Sequence, residues 1–270
     1  MLIDSHCHLD PHYLPQGPDD VLSRARDAGV TGFVCVGVGG DLGPMTHAVE
    51  LAGRRDDVLA VIGIHPHEAS SFTEAFFESV VDLARDSRVI AVGEIGLDYH
   101  YDFSPRPQQQ EVFRRFIQAA RLVGKPIVIH TREAREDTLR ILEEEGAREL
   151  GGVFHCFSED VSFARRALDL GFDISFSGIV TFPRSAELHE VARMVPADRY
   201  LVETDSPYLA PVPFRGRKCE PAYVVHTARR VAELRSEPFD KVAADSTRTF
   251  RRRFGVADRF AAPQHAPLAL

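Results

Sequence analysis

The sequence predicts an α/β protein folded as a TIM (β/α)8 barrel. Eight short runs rich in apolar and β-branched residues alternate with amphipathic segments along the chain, the pattern of a parallel sheet with crossover helices. The length, 270 residues, is close to the roughly 250 typical of one such barrel. Histidines and carboxylates recur at the ends of the apolar runs, where a barrel gathers its functional side chains at one mouth.

The elements follow in order. Leu2–Asp4 is the first strand, and the helix Pro18–Ala28 returns the chain to the second, Gly32–Val38. Helix Pro44–Gly53 leads to strand Val58–Ile64, and Thr73–Arg85 leads to Val89–Val92. Helix Pro107–Leu122 precedes strand Ile127–His130; Ala134–Gly146 precedes Gly152–His155. Glu159–Leu170, strand Phe172–Ser175, Ser185–Val195 and strand Tyr200–Glu203 complete eight units, and helices Pro221–Arg235 and Pro238–Phe254 close the chain. An open doubly wound sheet is the rival architecture, but it brings a Gly-rich phosphate turn after its first strand. Here His6-Cys7-His8 stands there, and Gly37, Gly39 and Gly40 form no full nucleotide fingerprint. One domain is expected over residues 1–255, with 256–270 as a C-terminal tail whose small, Pro-containing end, Ala261–Leu270, frays.

An apolar share of 44% supports a sizeable core, and 27% charged residues suit a soluble surface. No apolar run approaches the ~18 residues of a membrane span, and the start lacks the pattern of a signal peptide. Cys7, Cys35, Cys156 and Cys219 form no CxxC pair, so they are read as reduced thiols of a cytoplasmic protein. No obligate protein partner is evident. A net charge of −8 gives no global attraction for nucleic acid. A phosphate-bearing substrate therefore needs a local basic patch and metal ions.

His6 and His8 alternate at the end of the first strand, so both imidazoles can face one metal. Cys7 between them is expected to point the other way and pack. The competing role for such a pair is a polar strand end. Glu94 closes the fourth strand within an apolar stretch, and an unpaired buried carboxylate there is costly. A pair of metal ions bridged by its two oxygens compensates it; an ion pair with an arginine is the alternative. Related barrels often bridge their metals with a modified lysine, and the only lysines here, Lys125, Lys218 and Lys241, lie away from such strand ends. His130 and His155 end the fifth and sixth strands. A lone strand histidine is more often a hydrogen-bonded core residue, but their matching positions reverse that expectation. Asp205, after the eighth strand, is placed to bind a metal and take a proton from bound water; its structural role would be to cap the turn before Pro207.

Five segments in order, Asp4-Ser5-His6-Cys7-His8-Leu9-Asp10, Gly63-Ile64-His65-Pro66-His67, Gly93-Glu94-Ile95-Gly96-Leu97-Asp98-Tyr99, His155-Cys156-Phe157-Ser158 and Glu203-Thr204-Asp205-Ser206-Pro207-Tyr208-Leu209, resemble the TatD family of metal-dependent deoxyribonucleases. The resemblance covers about residues 1 to 255 and implies a TIM barrel of the amidohydrolase superfamily. It implies His6, His8, Glu94 and Asp205 around one metal, and Glu94, His130 and His155 around a second. It further implies hydrolysis of DNA, commonly 3′–5′ exonuclease action on single strands, and makes a place in DNA repair plausible. Two positions depart from the family: Cys219 stands where Asn is usual, and Glu159 where Gly is usual. Cys219 is expected to be an exposed thiol open to soft metals.

The expected chemistry is two-metal phosphodiester hydrolysis with Asp205 and Glu94 as the catalytic carboxylates. The cofactors are two divalent ions: Mg2+ or Mn2+ for turnover, with Zn2+ possible. His65 is assigned to a substrate phosphate or to supporting a ligand, in preference to binding a metal itself, with His67 beside it. Arg132 and Arg215 are the candidate phosphate contacts because a guanidinium forks its donors. Arg217 and Lys218 join them or form a solvated, charge-paired loop. Tyr99 and Phe182 are candidate base platforms, although packing is their commoner role. The alternative function is a small-molecule amidohydrolase, lactonase or phosphoesterase on the same barrel.

Overall fold

The computed structural model describes residues 1–256 and 260; the expected fraying of Ala261–Leu270 lies outside them. Eight strands run in chain order: β1 (Leu2–Cys7), β2 (Val30–Val38), β3 (Val58–Gly63), β4 (Val89–Asp98), β5 (Ile127–Arg132), β6 (Gly152–Phe154), β7 (Phe172–Phe176) and β8 (Tyr200–Val202). They form one sheet in the order β1 to β8, every adjacent pair parallel. A parallel bridge between Cys7 and Ser206, just beyond β8, brings the two edges together. This is the expected α/β barrel.

Helices α1 (Asp19–Asp27), α2 (Gly43–Arg54), α3 (Glu74–Ala84), α4 (Arg106–Val123), α5 (Arg135–Glu144), α6 (Val161–Asp169) and α7 (Ala186–Met194) return the chain between strands, and α8 (Val224–Arg235) and α9 (Phe239–Phe254) follow β8. Their ends match local chemistry. The Thr73 side chain accepts from Phe76 N–H at the start of α3, and Asp160 does the same for Phe163 at α6. Gly124 and Gly255 end α4 and α9 in the left-handed conformation.

The strands bury both faces, as parallel sheets do. One face packs on the helices: Phe33, Cys35, Ile62 and Phe154 join Leu22, Met45 and Phe116 in a single cluster. The other face forms a second cluster that includes Ile3, Val34, Leu59, Ile90, Val128, Val153 and Leu201. These residues fill the barrel, and Phe250 and Phe254 of α9 pack into the same cluster. Burying one such ring is worth about 1.5–3 kcal/mol. Asp173 at the start of β7 is fully buried and paired with Arg199, Arg252 and Arg253, which ties α9 to the same end.

The strand ends differ from expectation where they matter most. β1 runs through His6, and β4 runs past Glu94 to Asp98, whereas β6 and β8 stop one residue before His155 and Glu203. Gly96 makes the long β4 possible: its φ is +140°, and a Cβ there would stand 2.0 Å from the carbonyl oxygen of His130. Only glycine lets β4 and β5 approach so closely at this point.

Candidate metal centre

Closure of the barrel joins the two ends of the sequence motif set. Asp205 N–H donates to the His6 carbonyl at 2.9 Å, and His8 N–H donates to the Ser206 carbonyl at 2.8 Å. Below them the buried Asp4 carboxylate accepts from Thr204 N–H at 2.8 Å and from the Thr204 hydroxyl at 2.6 Å. Burial raises the Asp4 carboxyl to about 8 despite these donors. The Asp205 carboxylate consequently lies 3.8 Å from His6 Nε2 and 3.6 Å from His8 Nε2.

Glu94 reaches the same space from β4, with its two oxygens facing different histidines. Oε2 is 3.4 Å from His6 Nε2. Oε1 is 2.8 Å from His130 Nδ1, 2.7 Å from His155 Nε2 and 3.4 Å from His65 Nε2. His6 and His155, from β1 and the end of β6, stack with ring centroids 4.0 Å apart. All six residues expected to hold metal therefore converge. Three sets have ligand atoms mutually within 4.8 Å: His6, His8 and Asp205; His6, His155 and Glu203; His65, Glu94 and His130.

The electrostatics fit a cationic occupant. Burial pushes the Glu94 carboxyl upward, but His155, His65 and His130 outweigh it and hold the group well below the usual carboxylate range. Asp205 behaves likewise, with the His8 contact and the charges of His6 and His155 overcoming burial. Burial pulls His155 and His130 down, yet Glu94 and Glu203 raise the first and Asp98 and Glu94 the second. Buried His6 is lowered, and His65 falls to about 4, chiefly by burial. Both ring nitrogens of His6 and of His155 are buried without a hydrogen-bond partner among the described residues. Buried polar atoms are rarely left so, and nitrogens aimed at carboxylates across 2.7–3.8 Å are the donor set a divalent ion takes. The residues fit a divalent metal ion.

Two carboxylates not singled out in the sequence lie behind these imidazoles. Asp98 Oδ2 lies 3.0 Å from both His130 Nε2 and His67 Nε2. Glu203 Oε1 lies 3.3 Å from His155 Nδ1 and accepts Cys156 N–H at 2.5 Å, while Oε2 accepts the Ser175 hydroxyl at 2.6 Å. Carboxylates behind ligating imidazoles fix ring orientation and raise basicity. The available signal was even spacing, four residues from Glu94 to Asp98 and two from Glu203 to Asp205.

The outer residues divide. Arg132, the last residue of β5, and Arg215, after β8, are exposed. Arg132 lies over the Tyr101 ring at 4.8 Å and Arg215 over Phe182 at 3.9 Å, so Phe182 is covered by a guanidinium. Tyr99 is tied down: its hydroxyl donates to Asp137 at 2.8 Å and accepts from Gln110 at 2.7 Å, and Arg106 covers the ring. The Lys218 ammonium donates to the Tyr13 carbonyl, which serves the loop. Cys219 is 3% exposed, correcting the expectation of an exposed thiol; burial raises its thiol pKa. Glu159 is buried and paired with Arg135. Cys7 packs in the helix-facing core as expected. All four cysteines are free. Among the described residues no helix is long and apolar enough to cross a membrane.

The family described as TatD related DNase matches residues 3–255. The uncharacterized metal-dependent hydrolase YcfH of Escherichia coli (strain K12) is 45% identical over 258 residues, covering 94% of this chain and 96% of that protein. The 3′-5′ ssDNA/RNA exonuclease TatD of Klebsiella pneumoniae (strain 342) is 33% identical over 260 residues, covering 94% and 98%. The crystal structure of YJJV, a TatD homolog from Escherichia coli k12, superposes with a TM-score of 0.87 at 27% identity, covering 94% of this chain and 98% of that one.

Proposed function

The chain belongs to the TatD family of metal-dependent hydrolases, and from that premise we propose that it hydrolyses phosphodiester bonds of single-stranded DNA, removing nucleotides from the 3′ end. The observation that carries the reading is Glu94, whose two oxygens face His6 on one side and His130 and His155 on the other. That is the arrangement a bridging carboxylate needs. His6, His8, Glu94 and Asp205 are the residues proposed to hold one divalent ion, and Glu94, His130 and His155 the other. Two such ions, when bound, supply a water acidified to near-neutral pKa and positive charge at the phosphate.

The chain's own groups account for the rest. Asp205, held ionised by His8 and its neighbours, is the group proposed to take the proton of the attacking water. Asp98 and Glu203 orient His130 and His155. Arg132 and Arg215 form no ion pair among the described residues and offer forked donors to phosphates. His65 accepts His67 N–H through Nδ1 at 3.1 Å, which turns Nε2 toward Glu94 and the substrate. The resemblance to a 3′-5′ ssDNA/RNA exonuclease supports the nucleic-acid class. A small-molecule hydrolase remains the second reading, and the exposed, unpaired arginines favour a polyanion over it.

The test is nucleotide release from end-labelled single-stranded DNA with Mg2+, Mn2+, Zn2+ or chelator, alongside Glu94→Ala. Stepwise, metal-dependent shortening that is lost in the variant is expected. Absence of cleavage with every metal, in protein shown to bind divalent ions, overturns the nuclease reading and favours small phosphoesters, lactones or amides.

A further inference from the structure

The loop after β4 carries two large apolar rings into solvent. Tyr101 is 48% exposed and Phe103 67%, the most exposed large apolar side chain among the described residues. They stack on each other, with centroids 5.2 Å apart and planes 18° from parallel. Exposed single apolar residues need no explanation, but this pair is held in place. Asp98 Oδ1 accepts both His100 N–H and Tyr101 N–H at 3.0 Å. The Ser104 hydroxyl donates to the His67 carbonyl at 2.8 Å, and Gln109 donates to the Ser104 carbonyl at 2.8 Å. Each end of the loop is therefore anchored, and the rings are displayed by a fixed backbone.

The pair also has a defined neighbourhood. His67 packs its edge against both rings, 5.4 Å from Tyr101 and 4.8 Å from Phe103. The same His67 meets Asp98, which meets His130, so the rings adjoin the candidate metal centre. Arg132, opposite Asp98 in the sheet register, lies over Tyr101. Nearby acids are already matched: Glu133 with His100 at 2.7 Å and Asp102 with Arg106 at 2.8 Å. Arg132 is left as an unmatched cation beside two aromatic faces. A cation next to a stacking surface is the combination that binds single-stranded nucleic acid, with the ring taking the base and the guanidinium the phosphate.

We propose that Tyr101 and Phe103, flanked by Arg132, form a nucleobase-stacking subsite that seats the base adjoining the scissile phosphate of a single-stranded nucleic acid. It rests on the phosphodiesterase reading of the neighbouring site and adds the contact that places a strand end there. Asp98 links the two, because one of its oxygens holds the loop and the other meets His130.

The chain has no tryptophan, so Phe103→Trp introduces a single fluorescent reporter at an exposed position. The variant is titrated in low salt with chelator, so that nothing is cleaved. One probe is an oligodeoxyadenylate; the other has the same length with tetrahydrofuran in place of every base. Saturable quenching by the first and none by the second is expected. No quenching, or equal quenching by both, overturns the proposal. In a second measurement, Tyr101→Ala and Phe103→Ala are assayed on the metal-loaded enzyme. They should raise KM about 5- to 100-fold for ends that carry bases and leave cleavage of base-free ends unchanged. Equal loss on both substrates, or none on either, also overturns it. Failure of the wild type to cleave any oligomer defeats the phosphodiesterase reading instead, and the tryptophan titration still reads the stacking site by itself.

Discussion

Asp205 N–H donates to the carbonyl of His6 across 2.9 Å. This bond stands beside the Cys7–Ser206 bridge that joins the two edges of the sheet, so closing the barrel and assembling the candidate metal centre are one event. The residues concerned are 199 positions apart in the sequence. His6 and Asp205 meet only when the last strand reaches the first.

Glu94→Ala removes the group that faces both histidine sets. Metal content measured by atomic absorption should fall, and hydrolysis should drop by more than the roughly 10–100-fold typical of residues that merely support ligands. Full metal content with wild-type turnover would sink the bridging role.

Asp98→Asn and Glu203→Gln keep shape and remove charge behind His130 and His155. Each should cost roughly 10–100-fold in metal affinity or activity without loss of fold. The readouts are the chelator concentration at half-activity and the circular dichroism spectrum. A wild-type chelator midpoint in both variants would leave the two carboxylates only structural.

Arg132→Ala and Arg215→Ala should raise KM for single-stranded DNA and each lower the salt dependence of binding by about 0.7 in log–log slope. Lys218→Ala should lower the slope less, because the Tyr13 carbonyl holds its ammonium in the loop. Binding isotherms at several salt concentrations separate the three; an unaltered slope in both arginine variants speaks against phosphate contacts.

Gly96→Ala places a methyl group 2.0 Å from the His130 carbonyl at a φ of +140°. The expected loss is about 2–4 kcal/mol of stability, from steric overlap and backbone strain. Urea denaturation measures it, and a shift under ~0.5 kcal/mol would show that β4 and β5 separate freely.

The Asp86 carboxylate leads into β4, and its pairing with Arg88 lowers its pKa from 3.8 to about 2. A depressed carboxylate stabilises the fold above its unfolded pKa, and that contribution fades as pH falls through the folded value. Asp86 is partly exposed and screened by solvent, so the contribution should stay below ~1 kcal/mol. Wild type should therefore exceed Asp86→Asn in stability at pH 6 and lose that margin between about pH 4 and pH 2. A margin that grows on acidification would reverse the sign and refute the assignment.

Much of this could be read from the chain. The alternation of apolar runs with amphipathic segments predicts all eight strands, because burial on both faces demands continuous apolar sequence. His6, His8, Glu94, His130, His155 and Asp205 stood out because polar groups at the ends of apolar runs are expensive without a partner. Asp98 and Glu203 did not stand out. Both sit in segments quoted for the motif, but their role depends on which imidazole lies behind which carboxylate. The sequence offers Tyr99 as the base platform, but hydrogen bonds and Arg106 immobilise that ring, and only the loop geometry shows Tyr101 and Phe103 facing solvent.

The sequence by itself determined the fold class and the six residues that meet at the barrel mouth, since periodicity and chemical type are local properties of a chain. Tertiary structure alone decided which oxygen of Glu94 faces which histidine, that Cys219 is buried, and that Lys218 is held by a carbonyl while Arg132, among the described residues, meets only a ring. Those outcomes depend on distances between strands and loops far apart in sequence. They are set when β8 meets β1 and β4 runs on past Gly96, and no short stretch of residues encodes them.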